Sequence, residues 1–154
     1  MGLSSSADLL HWNEETHEPI LPRRPGKFDS RVVEPGPPPI ITRDGIVLIY
    51  NGADDHLVYR TGIAIFDRND PRKVLYRCEQ PVFEPEREWE KNGQVPNVVF
   101  VEGVAKRGYE CCSITAEPIN ILAWLPHHRP HNRLRRSGNL FRPGFRSQRV
   151  KHSP

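Results

Sequence analysis

Three cysteines, Cys78, Cys111 and Cys112, and three closely spaced histidines, His127, His128 and His131, are the obvious metal-binding candidates in this 154-residue chain. A structural zinc site draws its ligands from Cys and His at set spacings such as Cys-x-x-Cys. Here two cysteines are adjacent and the third stands alone, so neither a zinc site nor a disulfide framework is expected. Charge is the second chemical feature. Residues 1–108 carry 14 basic and 17 acidic side chains, a net of −3, whereas residues 109–154 carry 8 basic and 2 acidic, a net of +6. Seven of those eight bases are arginines set among prolines and histidines. An acid-poor, arginine-rich arm suits phosphate or nucleic acid, but the interleaved aromatics of a single-strand stacking platform are missing. Asp29, Glu34 and Asp54 stand beside turn-forming residues, where a carboxylate can cap backbone amides or lie in solvent.

The elements that must position these groups read as β-strands. The segment Glu34–Gly52 (EPGPPPIITRDGIVLIYNG) holds a strand at Ile40–Thr42, a tight turn at Asp44-Gly45 and a second strand at Ile46–Tyr50. Asp-Gly between β-branched runs is a strong hairpin signal. Ser4–Trp12 reads as an outer strand and turn, Asn13–Lys27 as loop and Phe28–Val33 as an extended piece. Tyr59–Asp67 and Lys73–Arg77 supply two more strands around the Asn69-Asp70-Pro71 turn, and Val95–Glu102 opens a further strand-rich unit. No long apolar run at a 3.6-residue period is present, and none approaches the roughly 20 residues of a membrane span. Short strands at this spacing predict an all-β repeat fold. Mean hydropathy is −0.63, with an apolar share of 36% and 16 prolines, which is lean for a self-sufficient core.

Four collinear blocks, Arg24–Ser30 (RPGKFDS), Glu34–Gly52, Tyr59–Pro71 and Pro81–Gly103, resemble glycoside hydrolase family 130, the β-mannoside phosphorylases and β-1,2-mannosidases. The resemblance covers about residues 4–108. It implies a partial five-bladed β-propeller of about two blades, with the sugar site where blades converge. It also implies an enzyme that cleaves β-mannosides with inversion and needs no metal or organic cofactor, inorganic phosphate being a co-substrate if the enzyme is of the phosphorylase type. A β-mannoside oligosaccharide is the expected partner, with neither membrane nor nucleic acid. The location stays open, with the cytoplasm as the default expectation.

By the same resemblance, phosphorylases hold phosphate with a lysine before the Gly-Pro-Pro block and a histidine in a Tyr-His-Gly triplet. The matching positions are Val32 and Asn51, neither cationic, which leans the reading toward a hydrolase. An inverting hydrolase needs a base to activate water, and Glu34 is the candidate. The other implied sugar contacts are Asp29, Asn51, Asp54, Arg60, Glu90 and Asn97. Asp29 and Asp54 keep their alternative roles as turn caps, Arg60 can pair with a carboxylate, and Glu90 can bond between blades. Trp89 reads as an aromatic buried between blades, or as a stacking face for sugar. No residue matches the family's general-acid aspartate.

Residues 1–108 therefore read as a partial propeller domain, the middle portion of the family's fold as the resemblance implies, and residues 109–154 as a disordered basic tail of different origin. Read from the third base of each codon, the genetic code permits Leu-Leu-Tyr-Tyr-Gly-Gly-Ala-Asp-Lys-His-Ile-Gly-Val-Ala for Cys111–Leu125. That string suits the next blade, so a frameshift near Gly108–Cys111 is one origin for the tail. The expectation is a portion of a β-mannoside enzyme that is inactive alone. The alternatives are a non-catalytic carbohydrate-binding propeller portion and a nucleic-acid binder that uses the basic tail.

Overall fold

A computed structural model describes residues 1–107, 110–116 and 122–127, with side chains through residue 105. Its elements are β1 (Ser4–Ser5), β2 (Asn13–Glu14), β3 (Val32–Pro35), β4 (Ile40–Ile41), β5 (Ile46–Ala53), β6 (Tyr59–Phe66), β7 (Val74–Arg77), a single helical turn α1 (Glu88–Lys91), β8 (Phe100–Arg107), β9 (Glu110–Ala116) and β10 (Leu122–His127). All strand pairs are antiparallel. The first large sheet runs β3-β5-β6-β7, with β4 paired to the far half of β5; the second runs β8-β9-β10; β1 and β2 form a small ribbon.

The strands β3 and β4 are one strand interrupted by Gly36-Pro37-Pro38-Pro39. Gly36 still donates to Ile49 O at 3.2 Å, but the three prolines have no amide to give, so the ladder lapses until Ile40. The hairpin turn falls one residue earlier than expected. Thr42 N bonds Gly45 O at 2.9 Å, leaving Arg43-Asp44 as the loop. Gly45 takes φ +142, and a Cβ there would lie 2.4 Å from Phe66 O. Glycine at this position is thus required twice, by its dihedral and by the neighbouring strand.

Alternation along β5 and β6 sorts residues to the two faces of the sheet. Leu48, Tyr50, Ala64 and Phe66 join Leu21, Phe28 and Cys78 in one buried cluster. Ile49 and Ile63 face the other way and pack with Phe83, Val99 and Val101, closing the seam between the two large sheets. At this seam β5 and β6 of the first sheet meet β8 of the second. The arrangement is that of neighbouring propeller blades whose inner edges converge.

Several expectations need correction. Residues 28–30 form a turn rather than an extended piece, and the strand begins at Val32. Residues 95 and 97 are bends, Val98 makes an isolated parallel bridge with Tyr59, and β8 starts only at Phe100. The tail expected to be disordered from residue 109 instead supplies β9 and β10. The segment Cys-Cys-Ser-Ile-Thr-Ala is compatible with strand geometry, and it pairs with a β8 edge that would otherwise leave backbone groups unbonded. Residues 128–154, with His128, His131 and the arginines, lie outside the described residues.

Candidate active site

Glu34 lies on β3, opposite Asn51 of β5, which in turn lies opposite Thr61 of β6. Register partners share a face of the sheet, here the face toward β8. The Glu34 carboxyl is half-buried, and its pKa is raised, first by loss of water and then by the negative charge of Glu102 on β8. Glu34 on β3 thus lies within the field of Glu102, which is exposed on β8 where the register shifts between Val101 and Gly103. A carboxyl raised in this way is a better proton acceptor when ionised.

Asn51 is fully buried, and this corrects its reading as a sugar contact. Its Nδ2 donates to Val101 O at 3.2 Å, while Oδ1 accepts from Val101 N at 3.0 Å and from the Thr61 hydroxyl at 3.3 Å. The side-chain amide is committed to the seam.

Asp29 is also fully buried, on the opposite face. Its carboxylate accepts from Arg24 Nε at 3.0 Å and Nη2 at 2.8 Å, from Arg77 Nη2 at 2.7 Å and from the Tyr50 hydroxyl at 2.8 Å. Burial alone would raise its pKa, but the hydrogen bonds from Arg24 and Tyr50 and the charges of Arg77 and Arg24 win and hold it below the ordinary value. Tyr50 shifts upward, mainly through burial. Asp29 therefore anchors two arginines in the blade core and presents no surface to a sugar, which corrects its expected role.

Asp54 and Arg60 are brought into direct contact, 2.7 Å apart, at the β5–β6 connection. Asp54 also accepts from His56 N and Val58 N at 3.0 and 3.1 Å, capping the turn that contains Leu57 at φ +58. Arg60 reaches Glu84 at 3.4 Å as well. The turn-cap and carboxylate-pair alternatives thus describe both residues as they stand. Glu90 is buried, and its carboxylate accepts from Glu86 N and Arg87 N at 2.6 and 2.8 Å, bracing the approach to α1. Its backbone carbonyl accepts from Val98 N at 3.0 Å, tying that turn to the segment leading into β8. Asn97 is exposed at φ +60, and its carbonyl receives Tyr59 N at 2.9 Å. Trp89 is 40% exposed with the Arg87 guanidinium 5.0 Å from its ring centroid, so it is not buried between blades.

The seven predicted residues therefore do not form one constellation. Glu34 and Asn51 share the seam, Asp54 and Arg60 share a strand end, Glu90 and Asn97 flank the approach to β8, and Asp29 lies in the core. Sequence reading missed Glu102, Arg24, Arg77, Tyr50 and Glu84. Only the strand assignments around Tyr50 and Arg77 hinted at these groups, since the pairings span long sequence separations. Among the described residues no group of three or more His, Cys, Asp or Glu could hold a metal ion, and no helix is long and apolar enough to cross a membrane.

Comparison with known proteins adds the family. The sequence model of glycoside hydrolase family 130, described as beta-1,4-mannooligosaccharide phosphorylase, matches residues 1–114. A 1,2-beta-oligomannan phosphorylase of Thermoanaerobacter sp. (strain X514) is 48% identical over 103 residues, 67% of this chain and 34% of the relative. The structure of the beta-1,2-mannobiose phosphorylase of Listeria innocua in complex with beta-1,2-mannobiose superposes with a TM-score of 0.71 at 33% identity, covering 80% of this chain and 34% of the other. A structure solved for GH130 glycoside hydrolases that target beta-1,2-mannosidic linkages in Candida mannan gives a TM-score of 0.74 at 31% identity, covering 84% of this chain and 40% of the other. The chain spans about a third of the length of the curated relatives it matches. With its sequence matched over residues 1–114 and its sheets superposing on solved members, this chain belongs to glycoside hydrolase family 130.

Proposed function

We propose that these residues serve an enzyme that cleaves β-1,2-linked mannosides by phosphorolysis, with inorganic phosphate as the attacking group. The observation that carries this reading is the 48% identity to a 1,2-beta-oligomannan phosphorylase over 103 residues. The uncharged residues Val32 and Asn51 lean toward a hydrolase. Position 51 carries less of that weight, because the Asn51 amide faces a closed seam and is already bonded to Val101 and Thr61, whereas Val32 still favours a hydrolase. The sugar would lie at the mouth formed by the inner strands, against β3 and the residues leading into β8. None of the seven residues is a match for the general-acid aspartate, so the 154-residue chain by itself is expected to show no turnover.

The hydrolase reading keeps one supporting observation. Glu34 sits on the inner strand with its carboxyl raised by burial and by Glu102, which suits a base that activates water. Product analysis separates the two readings. The polypeptide encoded by the whole locus is incubated with β-1,2-mannobiose, with and without phosphate. Phosphorolysis yields mannose 1-phosphate only when phosphate is supplied. Equal release of free mannose under both conditions replaces it with hydrolysis, and Glu34→Gln should then abolish turnover.

A further inference from the structure

We propose that Asn51 is a positioning residue: its side-chain amide clamps the inner strand of the second sheet to the first and so sets how close the Glu34 and Glu102 carboxylates lie across the seam. The inference rests on the reading that the inner strands line the sugar site, but its test does not depend on turnover.

The geometry is that of a backbone bridge made by a side chain. Asn51 presents one donor and one acceptor to the same residue, giving Nδ2 to Val101 O at 3.2 Å and taking Val101 N at 3.0 Å. Both partners are fully buried, so each hydrogen bond is made out of competition with water. Thr61 Oγ1 donates to Asn51 Oδ1 at 3.3 Å and helps fix the amide's orientation. Gly36 completes the fit, since a Cβ there would lie 2.8 Å from Val101 O and push the strands apart. Removing the amide would leave Val101 N and O buried without these partners, which the chain can relieve by opening the seam to water.

Glu34 is the register partner of Asn51, and Glu102 follows Val101 directly. The clamp therefore acts one residue away from each carboxylate. Asn51, facing Glu34 from β5, is neutral, and Glu102 from β8 is the charged group whose field bears on it. Asp, which keeps the acceptor, loses the donor and adds a third negative charge. Ala loses both hydrogen bonds. Neither can reproduce the bridge.

The test is the titration of Glu34 followed by carboxyl-carbon NMR in the full chain, in wild type, Glu102→Gln, Asn51→Ala and the double variant, with near-UV circular dichroism as the control for folding. Removing the Glu102 charge should lower the Glu34 midpoint. Asn51→Ala should lower it in the same direction, because the strands separate and water enters. In the double variant the two effects should fall short of their sum, as expected for groups acting through one contact. An unchanged midpoint in folded Asn51→Ala, or strictly additive shifts, overturns the proposal. Hydrogen exchange in the wild-type chain tests it independently of any variant's folding. The Val101 amide should be protected as strongly as those of Leu48 and Ile63, and exchange as fast as in the 55–57 turn overturns the clamp.

Discussion

At the residue scale, the strongest commitments belong to buried groups with several partners. Asp29 bonds two arginines and a tyrosine with none of its surface exposed. Asp29→Asn keeps the shape but leaves Arg24 and Arg77 short of a counter-charge. Breaking a buried pair by removing one partner typically costs about 3–5 kcal/mol, so the variant should show a clearly lower denaturation midpoint in urea. The sign with pH follows from the depressed folded pKa. Stability from this group is present above the unfolded carboxyl value of about 3.9 and is lost as pH falls through the lower folded value. Unfolding of the wild type followed between neutral and strongly acidic pH should therefore show a loss on the acid side, and Asp29→Asn should show less of it. Glu34 has the opposite sign, since its folded pKa is raised. It stays protonated to a higher pH than a free glutamate, and in Glu102→Gln that range should contract toward ordinary carboxylate behaviour. Little of this was legible beforehand. Asp29 and Asn51 are polar residues beside turns or at strand ends, and a sequence gives no sign of partners 48 and 50 positions away.

At the element scale, the Gly45 hairpin and the broken inner strand are where local sequence dictates structure most directly. Gly45→Ala must hold φ +142 and bring a Cβ to 2.4 Å from Phe66 O. Substitution at a positive-φ glycine costs more than about 1 kcal/mol when a neighbour blocks it as well, and a fall in thermal midpoint measures it. The strands β6 and β7 lie within one residue of the positions expected, and β5 starts where expected and runs three residues further, because their alternation and turn residues agree with one another. Elements without that agreement were misplaced. The strand expected from Val95 begins at Phe100, because Asn97 takes φ +60 and breaks the extended run. The expected strand at Phe28 is a turn, since Asp29 is drawn into the core by Arg24, Arg77 and Tyr50 rather than aligned along a ladder.

At the scale of the whole molecule, two sheets meet along one seam, where β5 and β6 pack against β8 through Ile49, Ile63, Val99 and Val101 and through the Asn51 amide. The family resemblance carried by four motif blocks was sufficient to expect partial propeller blades, and the sheet order agrees with it. The tail was the least legible part. Composition suggested disorder from residue 109, yet β9 and β10 continue the second sheet. A strand edge accepts any compatible segment, so this pairing is consistent with an out-of-frame origin for the tail. The nucleotide sequence of the locus tests that origin. We expect the alternative frame past Gly108 to read Leu-Leu-Tyr-Tyr-Gly-Gly-Ala-Asp and to continue into further strand-rich sequence; a frame closed by stop codons would return the basic tail to consideration as a genuine arm.

The central claim is that the converging inner strands form the sugar site, and the most direct measurement is amide NMR of the chain titrated with β-1,2-mannobiose in the presence of phosphate. The account predicts shifts concentrated at Val32–Glu34 and at Val98–Glu102, with Asp29 and Tyr50 in the core unmoved. Shifts confined to the Asp54–Arg60 turn or to the surface near Ser4 and Arg72, or no shift at saturating sugar, would contradict it.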